Sequence, residues 1–109
     1  MGKVSEYVEK RFGTATYHIE STGSVSTSPT LIAKNNPDRF AISITNHGSV
    51  SIGVSLSPRV FGESAFVLGA GGGNLILTAD EDGELPTFEY FAVASAGTAL
   101  VSVVEVCGL

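Results

Sequence analysis

Residues 40–57, Phe-Ala-Ile-Ser-Ile-Thr-Asn-His-Gly-Ser-Val-Ser-Ile-Gly-Val-Ser-Leu-Ser, alternate apolar and small polar side chains so regularly that they admit little besides β structure. Phe40, Ile42 and Ile44 alternate with Ala41, Ser43 and Thr45, and Val50, Ile52, Val54 and Leu56 with Ser51, Gly53, Ser55 and Ser57. Successive side chains on a strand point to opposite faces, so each run predicts a half-buried strand. Asn46-His47-Gly48-Ser49 between them tolerates positive φ and bonds its own backbone, which predicts a β-hairpin with a four- or five-residue loop.

The rest of the chain repeats the pattern. Thr14–Glu20, Leu31–Ala33, Ala65–Leu68, Leu75–Thr78, Phe88–Ala94 and Leu100–Val106 read as further strands, separated by turn-forming clusters such as Asn35-Asn36-Pro37-Asp38, Gly69–Asn74 and Ser95–Thr98. Phe88–Ala94 is apolar on both faces and predicts a central, doubly covered strand. Seven or eight short strands at roughly 8–12-residue spacing predict an all-β fold, a small antiparallel β-sandwich or barrel. Before them, Val4, Tyr7, Val8 and Phe12 follow a helical stripe that Gly13 would stop. Residues 21–30 contain seven Ser or Thr, a linker composition. The chain therefore divides into an N-terminal arm and Ser/Thr-rich linker over 1–30 and a body over 31–109. The stripe, with Tyr17 and Ile19 beyond it, is the candidate interface.

Composition narrows the function. At 109 residues the chain is one domain with a modest core. Its single Cys107 cannot form an intrachain disulfide and reads as a buried small hydrophobe. No apolar run approaches the roughly 18–20 residues that span a bilayer, and the start lacks a signal-peptide core, so no membrane partner is expected. The net charge is −5, and residues 60–109 hold seven acids and no base. Such a segment repels nucleic acid and serves solubility or faces a basic partner.

The motifs that resemble chemistry are incomplete. The glycine run 69–73 lacks the Lys and helix of a phosphate loop. Residues 78–89 overlay the EF-hand frame at Asp80, Asp82, Gly83 and Glu89, a weak Ca²⁺ candidate, but Thr78 stands where the first carboxylate belongs. His18 and His47 have no second ligand at metal spacing, and His47 is expected to be exposed. No Gly-x-Ser-x-Gly elbow occurs. An enzyme is therefore not expected, nor any cofactor.

Several segments carry a family resemblance: Asn36-Pro37-Asp38-Arg39 leading into Ile42-x-Ile44-x-Asn46, then Val50-x-Ile52-Gly53-Val54-Ser55, Leu68-Gly69, Gly72-Gly73 before Leu75-x-Leu77, Gly83-x-Leu85-Pro86-Thr87, Tyr90-x-Ala92 and Val103-Val104-Glu105-Val106. Over about two-thirds of its length the chain resembles small virion proteins of tailed bacteriophages, notably head decoration (capsid cement) and head-fibre-like proteins. The resemblance implies a non-enzymatic structural protein made in the host cytoplasm. It would bind the major capsid protein on the outside of the head as a homo-oligomer, a trimer, with residues 1–20 docking by β-augmentation or as a helix. Two alternatives stay open: a tail, adaptor or fibre component, and a carbohydrate- or Ca²⁺-binding module with Phe61 as its loop aromatic.

Overall fold

The computed structural model describes residues 3, 6, 10, 11 and 13–109. Eight strands follow in order: β1 Thr16–Val25, β2 Thr30–Ala33, β3 Arg39–Asn46, β4 Ile52–Ser55, β5 Phe66–Leu68, β6 Asn74–Thr78, β7 Tyr90–Ala94 and β8 Ala99–Gly108. They form two four-stranded sheets, ordered β1-β8-β3-β6 and β2-β7-β4-β5, with every pairing antiparallel. The expected antiparallel β-sandwich is what the chain forms. Among the described strands, β4 and β5 alone are consecutive and paired; the other connections cross between sheets. This order is the eight-strand, two-sheet jelly roll.

The crossings correct the expected hairpin. β3 and β4 lie in different sheets: β3 pairs with β8 and β6, and β4 with β7 and β5. Alternation reports which face a side chain takes, and says nothing about which strand lies beside it. The 46–49 segment does turn the chain, without positive φ. Asn46 Oδ1 accepts from Gly48 N at 2.9 Å, and Asn46 Nδ2 donates to the carbonyls of Val50, Leu68 and Gly69. A Cβ on Gly48 would stand 2.7 Å from the Ala99 Cβ, so glycine lets the crossing lie against β8.

The core is the space between the sheets. Ile42 and Ile44 of β3 and Val101 and Val103 of β8 meet Ile52 and Val54 of β4 and Tyr90 and Ala92 of β7. Each fully buried Ile or Val contributes about 1.5–3 kcal/mol. Phe40 does not join Ile42 and Ile44. The β3–β8 register shifts between Arg39 and Ala41, a bulge that changes the parity. Arg39 points into the interior in its place, 2 % exposed, and Phe40 lines an outer cavity with Thr16, Ala41, Thr78 and Val106. β7 takes the expected central position, between β2 and β4. Its Val93 is buried although it sits opposite Gly53. The β4–β5 connection passes over this side: a Cβ on Gly53 would collide with Ser64 and touch the Phe61 ring.

The segment read as linker departs from that expectation over half its length. Residues 21–25 belong to β1, which pairs with β8 without interruption from Thr16↔Gly108 to Val25↔Ala99. A strand held by backbone bonds at a sheet edge has no need of apolar side chains, and Thr suits extended backbone. At the N-terminus Lys3, Glu6, Lys10 and Arg11 are helical. The stripe residues Val4, Tyr7, Val8 and Phe12 lie outside the described residues.

Buried Arg39 is fully engaged. Nε donates to Glu105 Oε1 at 2.7 Å, Nη1 to the carbonyls of Pro86 and Phe88, and Nη2 to the Lys34 carbonyl at 2.6 Å. Removing one partner of a buried pair leaves the other uncompensated. Arg39→Met is expected to cost about 3–5 kcal/mol in urea unfolding, and Arg39→Met with Glu105→Leu to recover part of that loss. Asn46→Ala strands three carbonyls and is expected to cost about 1–3 kcal/mol by the same measurement.

Candidate interaction surface

The edge strands β1 and β2 of the two sheets border a common side of the sandwich. β1 runs ten residues and β2 four, so β1 extends past the strand across the clefts from it. Val25 is buried; the residues sharing its face toward the start of the strand, Gly23, Ser21, Ile19 and Tyr17, are exposed. The interface candidates Tyr17 and Ile19 are 42 % and 39 % exposed, and Leu31 on the facing edge is 41 % exposed. Two clefts open along this edge. One of about 160 Å³ lies between residues 21–25 of β1 and 30–32 of β2, floored by Val101 and Val103. The other, of about 390 Å³, is lined by Ile19, Ile32, Lys34, Asn35, Arg39 and Glu105 among others.

The buried ion pair in the second cleft is committed to the fold. Arg39 spends its donors on Glu105 and three carbonyls, which leaves no free fork for an anionic ligand. Asn36 Nδ2 contacts Cys107 Sγ at 3.6 Å. Cys107 is fully buried, and its thiol is pushed up from its ordinary value, first by desolvation and then by Glu105. A thiol held protonated is a poor nucleophile. The Tyr17 phenol is raised too, first by the neighbouring Cys107. What the cleft offers a partner is apolar surface and extended backbone.

The other sequence candidates do not come together. Asp80 pairs with Arg11 at 2.6 Å, and Asp82 accepts from the Thr78 backbone N–H at 2.9 Å. The acidic stretch is a short helical turn, Ala79–Asp82, whose N-terminal cap is Thr78. Among the described residues no group of three carboxylates, His or Cys is placed to hold a metal ion, so Asp80, Asp82 and Glu89 do not form the EF-hand cage. Phe61 is half-buried against β4 instead of standing clear as a sugar platform. His47 is exposed, as expected. Among the described residues no helix is long and apolar enough to cross a membrane. Leu31 and the β1–β2 cleft were missed from sequence; the one available signal was β-prone Tyr17 and Ile19 next to a stretch without apolar alternation.

No family model matches the chain, and no curated protein matches it. Among solved structures it is similar to a chain of the Bacillus endospore appendages, described as a novel family of disulfide-linked pili. The identity is 16% over 87% of this chain and 88% of that one, with a TM-score of 0.49. It is also similar to the Dit protein of SPP1, described as a paradigm of the hub adsorption apparatus in phages that infect Gram-positive hosts. There the identity is 13% and the TM-score 0.39, over 81% of this chain and 48% of that one, so the chain spans about half of Dit.

The raised thiol and phenol values set an alkaline limit to stability. Burial also raises Tyr90, whose hydroxyl donates to the Leu85 carbonyl. A group protonated more strongly in the folded state stabilises fully below its unfolded value and loses that contribution as pH rises toward its folded value. The ordinary values are 9.0 for the thiol and 10.0 for the phenol. The melting temperature is therefore expected to hold up to about pH 8 and to fall between about pH 9 and 11, and Cys107→Ala to lessen the early part of that fall in a calorimetric pH series.

Proposed function

We propose that this protein is a non-enzymatic structural subunit of a bacteriophage virion, and in particular a head decoration protein that binds the outside of the capsid as an oligomer. The observation that supports this reading best is the β1–β2 edge. There, exposed Tyr17, Ile19 and Leu31 border clefts whose buried ion pair, Arg39 with Glu105, is already engaged inside the fold. Such a surface favours backbone and apolar docking over turnover. The jelly roll is an architecture that viral capsid domains use, which agrees with the sequence resemblance while remaining an analogy of fold. The major capsid protein is the proposed partner, and the capsid surface the proposed location. The trimer is the oligomer the resemblance implies. Many copies on a symmetric lattice would turn modest single contacts into stable attachment.

A tail, adaptor or fibre role is the second reading, since it asks the same of the surface. Mixing the purified protein with expanded empty heads and with tails of the encoding phage separates the two. Saturable binding to heads, in copy numbers matching the lattice, is the expected result. Rings of six or twelve bound at one vertex would move the protein to an adaptor role, and binding to neither particle would reject the virion reading.

A further inference from the structure

Four strand edges close or open the sandwich, and three of them are blunted. β2 is four residues long, follows Pro29, carries a register shift between Leu31 and Ala33 and is followed by Lys34. β5 has three residues, and β6 has five and runs into a helical turn. Short strands, proline, bulges and lysine are the usual means of keeping an edge from pairing with another chain. β1 has none of them: it is ten residues long, in unbroken register with β8, and free of Pro and Lys.

The direction of its free backbone groups follows from one hydrogen bond. Leu109 N donates to Ala15 O at 3.1 Å, which continues the β1–β8 ladder past Thr16↔Gly108. In an antiparallel pair, residues turn their N–H and C=O alternately toward the partner and away from it. Odd-numbered residues of β1 therefore face β8, and Thr16, His18, Glu20, Thr22 and Ser24 face the open edge.

We propose that β1 pairs antiparallel with β1 of a second copy, about a two-fold axis at Ile19, so that the two four-stranded sheets become one of eight. The free backbone groups permit this register, in which residue numbers opposite each other total 38. It sets His18 opposite Glu20 twice, as hydrogen-bonded pairs with a ring donor facing a carboxylate. It sets Ile19 against Ile19 and Tyr17 against Ser21 as the closer, non-hydrogen-bonded pairs. The neighbouring register, two residues on, has the same backbone phase but puts Glu20 against Glu20, and like charges directly opposite destabilise. The apolar row of each β1 then continues across the axis beside the partner's cleft. This is a two-fold contact, separate from the three-fold closure that the resemblance implies. It deepens the reading of the chain as an assembling subunit. A dimer that binds neither heads nor tails would uphold the pairing and reject the virion role.

The test uses the full chain, with circular dichroism and melting temperature as controls for folding. Sedimentation across about 1–100 µM is expected to show a species of twice 11.2 kDa. Ile19→Lys places two ammonium groups on the axis and is expected to raise the dimer dissociation constant at least tenfold. His18→Glu is expected to raise it and His18→Lys to lower it, several-fold each. Ile19→Cys reads the register directly, since buried Cys107 stays out of the reaction. Mild oxidation should link Ile19→Cys chains into a covalent dimer well before Ser21→Cys chains. A protein that is monomeric throughout this range would overturn the pairing. So would assemblies that Ile19→Lys leaves intact, or Ser21→Cys chains linking faster than Ile19→Cys chains.

Discussion

The fold depends on a guanidinium that it cannot hydrate. Arg39 sits 2 % exposed at one end of the sandwich, and its hydrogen bonds reach β8 through Glu105, the 85–88 turn through Pro86 and Phe88, and the end of β2 through Lys34. A charge buried this deeply is tolerated only when each donor is met, so the positions of those segments are linked through one side chain. The bulge beside Arg39 makes this possible, because it turns residue 39 inward while leaving Ile42 and Ile44 on the core face. The same commitment removes the one buried cation among the described residues from any role in ligand binding.

At the opposite end, a neutral amide holds the chain together. Asn46 is fully buried at the end of β3, with its side chain bonded to the 48–50 crossing and to the end of β5. The glycine turn docks on the same point: Gly72 N donates to Asn46 O, and Asn46 N donates to Gly73 O. Gly71 and Gly72 take φ of 72° and 116°, which other residues rarely adopt. In a jelly roll most connections cross between sheets, and each crossing takes backbone polar groups past the end of the core. Arg39 and Asn46 supply the partners at the two ends.

The sequence made strand number and spacing readable, because alternation and turn residues are local signals. β7 was legible as central from Phe88–Ala94 for the same reason. Strand pairing was not legible. Nothing in Phe40–Ser57 distinguishes a hairpin from two strands in opposite sheets, since alternation is identical in both and the choice rests on contacts with β7 and β8, far along the chain. β1 was hidden differently: in its Ser- and Thr-rich half only Val25 reaches the core while residues 21–24 stay exposed, so the apolar alternation that marks a strand had little physical cause there. Of the candidate surface, Tyr17 and Ile19 were visible as β-prone residues. Leu31, the clefts and the buried ion pair arise only when β2, β3 and β8 come together.

That hidden strand also accounts for how an open edge can be kept soluble. A long, regular edge with apolar residues on both faces would pair indiscriminately. β1 carries Ser21, Thr22 and Ser24 in its second half and concentrates its exposed apolar surface at Tyr17 and Ile19, beside His18 and Glu20. The hydroxyl-rich half lowers the gain from any wrong register, while the short patterned segment distinguishes one alignment from its neighbours by charge and shape. An edge whose specificity lies in a few residues, on a strand otherwise indifferent to its partner, suits reversible and symmetric association better than fibre growth. The blunted edges of β2, β5 and β6 leave such a pair no equally open strand on which to extend.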